Sequence, residues 1–376
     1  MSRSFAKKTT PFVAAATLVA GLTAGAPALH AQLQNTGLIA APHFTQYTIG
    51  SGASVRSITQ SALPFVVLLP FSERFTVDVT TAYANSQVKV GGSTQSSISG
   101  LTDTQIRGNF TVGQDMLVFT VGLNIPTGQY TVTQDQADAA GQIGNDFLNY
   151  PISSMGNGLA GTGGVALARA MGSWNVGLGA SMRKSAEFSA YALSASEFRF
   201  TPADEYRLRV GADRPVGDGQ VSLGLAYSAF GEDAADTTGG ASRTTASTGD
   251  RLTVNGMWMV PVRGGDLYLS GWNLYRLAGQ QFGGDAPKEN VANLNAAYST
   301  EIGGILLQPS IEGRFWQVDG ARAGQLTNLN VRLRLGAGSF ALFPSLGYSM
   351  GTLYNVATGD GTDVTGFRGS LTVRLN

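Results

Sequence analysis

Apolar and polar residues alternate along most of the chain with a period of two. The clearest stretches are Leu329 to Leu335, where leucine and valine alternate with asparagine and arginine, and Phe367 to Leu375, where arginine, serine and threonine fill the alternate positions. Side chains of a β-strand point to opposite faces in turn, so this pattern gives a strand one apolar and one polar face. Beyond Gln32 no window carries a sustained apolar stripe of helical period. The pattern therefore predicts an all-β protein.

Sixteen segments show this alternation, and fourteen is the alternative count because 38–49 and 158–171 alternate least clearly. The predicted strands are 38–49, 54–71, 74–90, 101–113, 116–128, 158–171, 174–189, 204–216, 220–230, 250–263, 266–277, 289–303, 305–318, 327–338, 340–354 and 364–375. Tight turns and longer polar loops alternate between them. The longer loops are 50–53, 91–100, 129–157, 190–203, 231–249, 278–288, 319–326 and 355–363. Bacterial outer-membrane barrels show this asymmetry, with short periplasmic turns and longer extracellular loops.

The composition narrows the class of protein. Charged residues make up only 13% of the chain and hydrophobic residues 43%, so the chain is too apolar to be disordered. No uninterrupted apolar stretch reaches the ~18 residues that a membrane-spanning helix needs, which excludes a helical membrane bundle. The formal net charge is zero, which argues against a nucleic-acid partner. Because cysteine is absent, disulfide frameworks, cysteine-based zinc sites and thiol nucleophiles are excluded.

The first residues follow the order of regions in a secretory signal peptide. Three basic residues precede the apolar, alanine-rich run 12–22, which leads to small residues around Ala28 and Ala31. Cleavage is expected after Ala28 or Ala31. With the later site, residues 1–31 are the signal peptide and 32–376 the mature barrel domain. A short buried helix is the alternative, but 1–31 contains no acidic residue and no amphipathic period.

An exported chain without disulfides must gain its stability in another way. A sheet can span a bilayer only if it closes on itself, because each backbone N–H or C=O left unpaired in hydrocarbon costs several kcal/mol. We therefore predict a single transmembrane antiparallel β-barrel in the bacterial outer membrane, with an apolar outer face and a polar lumen. Its expected partners are outer-membrane lipids, small solutes and the barrel-assembly machinery. A soluble β-sandwich would share the alternation, but export and the turn lengths favour the barrel.

Aromatic residues near the predicted strand ends support the barrel, since membrane barrels carry aromatic girdles at both interfaces. They are Tyr83, Trp174, Phe188, Tyr227, Trp258, Tyr268, Tyr275, Tyr298, Phe315, Trp316, Tyr348, Tyr354 and Phe367. The alternative is that they belong to the core of a sandwich.

Few residues are available for catalysis. His43 is the only histidine of the mature chain, and a single histidine on a strand is far more often a wall residue than a catalytic base. Its candidate partners are Asp78, Asp103 and Asn109, whose spacing follows no catalytic pattern. No phosphate-binding loop, dinucleotide fingerprint or metal-ligand motif is present. We therefore predict no enzymatic activity, no cofactor and no metal; a barrel hydrolase would depend on His43.

The polar face of the predicted strands carries more arginine than acid. Its candidate pore-lining residues are Arg74, Arg107, Arg207, Arg209, Arg251, Arg314, Arg332, Arg334, Arg368 and Arg374. Rings of basic groups set selectivity in pores, so these residues predict a lumen that favours anions or polar solutes. The alternative is that they pair with carboxylates and only fix the wall. A sixteen-stranded barrel is wide enough for a channel, and 129–157 is the only loop long enough to plug or constrict it.

One stretch resembles a known family. Segment 61–83 reads SALPFVVLLPFSERFTVDVTTAY, and it is followed by GLTDT at 100–104 and LNIPTG at 123–128. Over residues 58–130 the chain resembles the outer-membrane transporter-like β-barrel family linked to the phenol meta-cleavage pathway, whose members carry a GLGDT turn and an lPTG strand end. The resemblance implies a passive conduit for small compounds, aromatic ones among them.

The family motifs single out a group of rim residues, Gly100, Asp103, Pro126, Thr127 and Gly128. The end of one predicted strand and the start of another share a rim here, so we expect the two motifs to meet and a sharp bend to direct loop 129–157 over the mouth. Thr102 replaces the second glycine of the family pattern, and Ala82 replaces a proline. The predicted function is a porin-like passive channel, and the alternative is a structural or adhesive surface barrel with a closed lumen.

Overall fold

The computed structural model describes residues 37–113, 116–193, 196–237, 243–281, 284–337 and 340–375. Across these residues eighteen segments join one antiparallel sheet. Two pairs of segments continue each other across short breaks, so the described wall is a closed barrel of sixteen strands. The predicted signal peptide and both of its cleavage sites lie outside the described residues.

The wall strands are numbered in chain order. They are β1 (Gly37–Ala40 and His43–Ile49), β2 (Arg56–Pro70), β3 (Phe75–Val90), β4 (Ser93–Leu101 and Thr104–Val112), β5 (Leu117–Ile125), β6 (Ala160–Met171), β7 (Trp174–Ser185), β8 (Glu205–Val216), β9 (Gly219–Phe230), β10 (Arg251–Val262), β11 (Gly265–Arg276), β12 (Glu289–Ile302), β13 (Ile305–Val318), β14 (Ala321–Ala337), β15 (Phe340–Tyr354) and β16 (Gly361–Leu375). Every predicted strand, the two least regular ones included, therefore has a counterpart in the wall.

Two predicted loops are wrong. Segment 91–100 is mostly strand, because β4 begins at Ser93 after a two-residue turn in which Gly91 and Gly92 have φ of 57° and 86°. Segment 319–326 is also mostly strand, since Asp319 and Gly320 make a similar turn with φ of 50° and 83°. Positive φ at both central residues is the geometry of the tight hairpin turn that matches strand twist. Long and short connections consequently alternate less regularly than the sequence predicted.

The two faces of the wall differ as the alternation predicts. On β14, the outward-facing side chains of Leu329 and Val331 are each 45% exposed. The side chain of Asn328, which precedes Leu329 and faces inward, is 1% exposed. Large apolar side chains such as Val121 and Leu208 are exposed on the outer face of other strands. The outer surface is therefore apolar, as a lipid environment requires.

The first and last strands close the sheet. β1 pairs with β2 on one side and with β16 on the other, and Tyr47 lies opposite both Ile58 and Gly366. No wall strand of the described sheet is left with a free edge along its whole length, so its backbone groups are paired within the barrel.

Segments beyond the wall form a second, smaller sheet. Strands Phe188–Leu193, Ser196–Thr201, Asp233–Thr237 and Arg243–Ala246 pair in order, and Val132–Thr133 joins their edge. A separate hairpin is formed by Gly279–Gln281 and Gly284–Ala286. Parts of three predicted loops, 194–195, 238–242 and 282–283, lie outside the described residues.

The described helices are short. They are a 3-10 turn at Gly52–Ser54 and the α-helix α1 at Ala137–Ile143. Neither has the length and apolar character that a helix needs to cross a membrane.

Candidate functional site

The connection between β5 and β6, residues 126–159, turns into the barrel, and we call it the lumen loop. Its side chains Ile143, Phe147, Leu148, Tyr150 and Met155 are all 4% exposed or less. They pack in one cluster with inward-facing wall residues, namely Tyr47, Ile58, Ala84, Val88, Ile98, Val291, Leu326 and Val364. The predicted loop 129–157 therefore enters the lumen rather than covering its mouth.

The family-motif residues form the root of the lumen loop. Asp103, at the break in β4, accepts hydrogen bonds from the backbone N–H of Gly128 at 3.1 Å and of Asn157 at 2.6 Å. The hydroxyl of Thr127 donates to the carbonyl of Thr102 at 3.0 Å. Gln129, which follows Pro126–Gly128, lies against Gly100. The structure thus brings the two motifs into contact and directs the bend inward.

Helix α1 is attached to the wall on the side of β2 and β4. Arg56 forms an ion pair with Asp138 at 2.6 Å. The backbone N–H of Ala139 donates to the hydroxyl of Ser96 at 3.0 Å. One charged and one neutral contact therefore hold the helix, while its buried face joins the apolar cluster.

Two of the predicted lumen arginines bind backbone carbonyls of the lumen loop. Arg314 donates to the carbonyl of Phe147 at 2.7 Å, and Arg368 donates to the carbonyl of Leu148 at 2.9 Å. Phe147 stacks on Trp316 with ring centroids 5.4 Å apart. Trp316, predicted to be a girdle residue, instead faces inward, because it lies in phase with Arg314 on β13.

Polar side chains complete the attachment. The hydroxyl of Tyr47 donates to the carbonyl of Leu148 at 3.1 Å, and that of Tyr150 donates to the carbonyl of Ile58 at 3.1 Å. Gln60 makes two hydrogen bonds with the backbone of Ile152, at 2.7 and 2.9 Å. Burial, and secondarily the neighbouring Tyr47, raises the pKa of Tyr150 above its ordinary value.

Arginines on another part of the wall have different partners. Arg107 binds Asp78 through both carboxylate oxygens, at 2.9 to 3.1 Å. Arg207 pairs with Glu205 at 2.5 Å. Arg209 lies within electrostatic range of Arg207, Glu205 and Arg107, and in the described structure its Nε and Nη2 are buried without a hydrogen-bond partner. Arg107 and Arg207 are thus each paired with a carboxylate, whereas no ion pair among the described residues includes Arg209.

The remaining predicted arginines contact aromatic rings or lie elsewhere in the sheet and its turns. Arg332 and Arg334 lie over the ring of Phe343, at 5.0 and 5.9 Å from its centroid, and Arg251 lies over Phe230 at 5.5 Å. Arg374, on β16, is opposite Ile39 and Ala341. Arg74 is not on the wall: it is exposed in the turn between β2 and β3, where the Ser72 hydroxyl accepts its backbone N–H.

The candidate catalytic groups do not assemble around His43 in the described structure. Asp78 is bound by Arg107, and Asn109 also donates to it at 3.3 Å. Asp103 is occupied by the lumen loop. None of the contacts among the described residues joins His43 to these three groups. The histidine is a wall residue of β1.

Sequence reasoning missed the residues that hold the lumen loop from β1 and β2, namely Tyr47, Arg56 and Gln60. A signal for them was present. Ile58, Val88 and Ile98 are apolar although they occupy lumen-facing positions, and Phe147, Leu148 and Tyr150 are apolar within a polar loop. Apolar residues on the lumen face of the wall and apolar residues in the loop would both be exposed to water if they were apart. Their presence together therefore predicts that the loop packs against the wall.

No family model matches the chain, and no curated protein matches it. Solved structures do show likenesses. A bacterial polysaccharide outer membrane secretin has a TM-score of 0.48 at 7% identity, covering 92% of this chain and 100% of that one. OprB of Pseudomonas putida has 0.43 at 13%, covering 90% and 94%, and the CymD monoaromatic hydrocarbon channel has 0.41 at 9%, covering 92% and 89%. Likenesses this distant carry no argument about function.

Proposed function

We propose that the protein is a passive channel of the bacterial outer membrane, in which small solutes cross a lumen narrowed by the lumen loop. The supporting observation is the asymmetry of the lumen. The groups that bind residues 137–155 come from β1 to β4 and β12 to β16. Arg207 and Arg209 lie on β8, about halfway round the barrel from β16. Because the lumen loop is bound on one side of the barrel, we place the passage on the other side, between the loop and the arginines of β8.

The charge on that wall favours anionic solutes. On β8, Glu205 neutralises Arg207 whereas Arg209 keeps an unpaired positive charge, and on β4 Asp78 neutralises Arg107. A guanidinium that lines a narrow pore attracts anions and repels cations. Aromatic solutes, which the family resemblance implies, belong to the same proposal. We also propose that residues 1–31 are a signal peptide, and that outer-membrane lipids and the barrel-assembly machinery are partners of the barrel.

The test is single-channel recording in planar lipid bilayers, with the purified full chain and a variant whose residues 133–154 are replaced by a short glycine–serine linker. Wild type should conduct in discrete steps, and the variant should conduct more because the apolar cluster is gone. In a salt gradient the wild-type reversal potential should indicate anion preference, and Arg209→Gln should reduce it.

Arg214→Gln is the matched control, because Arg214 is on the same strand but faces outward over Trp174 at 5.3 Å. Its reversal potential should equal that of wild type. Equal effects of the two substitutions would remove the assignment of Arg209 to the passage.

One observation favours the second candidate, a structural or adhesive surface barrel. The apolar cluster fills part of the lumen, and the smaller sheet lies beyond the wall on the side of the lumen-loop root. A folded wild-type barrel that stays silent in bilayers, with conduction only in the loop-replaced variant, would support this candidate and reject the channel.

A further inference from the structure

We infer that Asp103 is the positioning residue of the lumen loop: one carboxylate ties both ends of the loop to the wall and thereby sets its place in the lumen. The effect on conduction rests on the proposed function, whereas the effect on the loop does not.

Each oxygen of Asp103 binds a different end of the lumen loop. Oδ1 accepts the backbone N–H of Gly128 at 3.1 Å, just after β5, and Oδ2 accepts that of Asn157 at 2.6 Å, just before β6. The side chain of Asn124 donates to Oδ2 at 2.8 Å and to the carbonyl of Gly158 at 2.5 Å. Asp103 is 8% exposed, so water replaces these bonds poorly.

The two ends are packed too closely for side chains between them. A Cβ on Gly128 would collide with the carbonyl of Met155 and lie 2.6 Å from the backbone nitrogen of Asp103. A Cβ on Gly156 would lie 3.0 Å from Oδ1 of Asp103. Real Cβ atoms do not approach other atoms as closely as the first case requires. Glycine at these positions lets both backbones reach the same carboxylate.

The wall holds Asp103 firmly at the break in β4. The backbone N–H of Thr102 donates to the carbonyl of Ala82 at 2.7 Å, and that of Ala82 donates to the hydroxyl of Thr102 at 3.0 Å. The carboxylate is therefore presented from a fixed point of β3 and β4. Bonds to an ionised acceptor are stronger than neutral ones, and losing the acceptor leaves buried N–H groups unsatisfied.

The experiment exploits the absence of cysteine from the chain. Ala139, on α1, is 0% exposed, so Ala139→Cys introduces a single thiol that reacts with a maleimide only when the lumen loop leaves its place. Labelling rates are compared for the full chain, refolded in detergent, with Asp103, Asp103→Ala or Asp103→Asn. Asp78→Ala is the matched control, because Asp78 is also 8% exposed but binds Arg107 instead of the loop. Whether the barrel wall itself is folded is read from the position of the folded band when unheated samples of each variant are run on a gel.

The thiol should be protected with Asp103 and with Asp78→Ala, and Asp103→Ala should speed labelling by about tenfold or more, the change expected for losing hydrogen bonds to a buried charge. Unchanged labelling in Asp103→Ala, or equal acceleration in Asp78→Ala, would overturn the inference. If Asp103→Ala gives no folded barrel, Asp103→Asn is judged by the same criterion. Failure of both to fold would also overturn it, because Asp103 would then be a residue of the wall.

Bilayer recording separates this inference from the proposed function. Faster labelling together with larger, noisier conductance in Asp103→Ala supports both. Faster labelling in a barrel that never conducts supports the positioning role and rejects the channel.

Discussion

Replacing Val331 by arginine tests the orientation of the wall. Val331 is 45% exposed on the outer face of β14 and lies six residues from the end of that strand at Ala337. At ~3.3 Å per residue and a tilt of ~45°, this places it about 14 Å from the strand end, near the middle of the hydrocarbon. An arginine at the midplane of a barrel costs ~2–4 kcal/mol. Leu333→Arg, only four residues from the end, should cost about 1–2 kcal/mol because the penalty falls toward the interface.

The assay is reversible denaturant unfolding of each variant in lipid vesicles. Asn330→Arg is the control, because Asn330 is the neighbour of Val331 on the same strand but faces the lumen, where arginines already lie. Its free energy of unfolding should stay within about 0.5 kcal/mol of wild type, as is usual for substitutions that meet water. Equal losses for Val331→Arg and Asn330→Arg, or none for Val331→Arg, would refute the assignment of faces.

Three further results are expected. Neutralising Arg332 and Arg334 together as glutamines should lower anion selectivity, and an unchanged reversal potential in a salt gradient would contradict this. Phe147→Ala removes the stack on Trp316, a large-to-small change worth ~3–5 kcal/mol in a buried site; single-channel conductance should rise while the heat resistance of the barrel is kept, and a change in heat resistance alone would count against it. Because burial raises the pKa of Tyr150 above its ordinary 10.0, docking of the lumen loop is fully stable below about pH 10 and weakens as the pH rises toward the folded-state value. Conductance should therefore increase above that pH in wild type but not in Tyr150→Phe, and identical pH profiles would reject the argument.

The wall was predictable because its signal is local. Alternation at Leu329 to Leu335 and Phe367 to Leu375 fixes the outward face of each strand without knowledge of its neighbours. The strand Ser93–Leu101 was missed because serine, threonine and glutamine fill most of both its faces, so the segment has no apolar phase to detect. The same holds for the start of β14, whose first residues are alanine, arginine and glycine.

The attachment of the lumen loop could not be read from local pattern. The bond from Arg314 to Phe147 and that from Arg368 to Leu148 join residues 167 and 220 positions apart. Whether an arginine faces an open passage or binds a loop carbonyl depends on which wall strands the loop reaches, and alternation is the same in both cases. At the root, Asp103 and Gly128 lie close together because β4 and β5 are consecutive antiparallel strands, with Thr104 opposite Ile125.

The lumen loop also has a role in holding the cylinder shut. The carbonyl of Leu148 accepts from Tyr47 on β1 and from Arg368 on β16, the two strands whose pairing joins the ends of the chain. The loop thus bridges the seam between the first and last strands, and the pair of donors around the carbonyl of Leu148 exists only where these two strands lie side by side. A chain without β16 would therefore lose both the seam and the Arg368 bond, and the loop would keep only its contacts to the other strands.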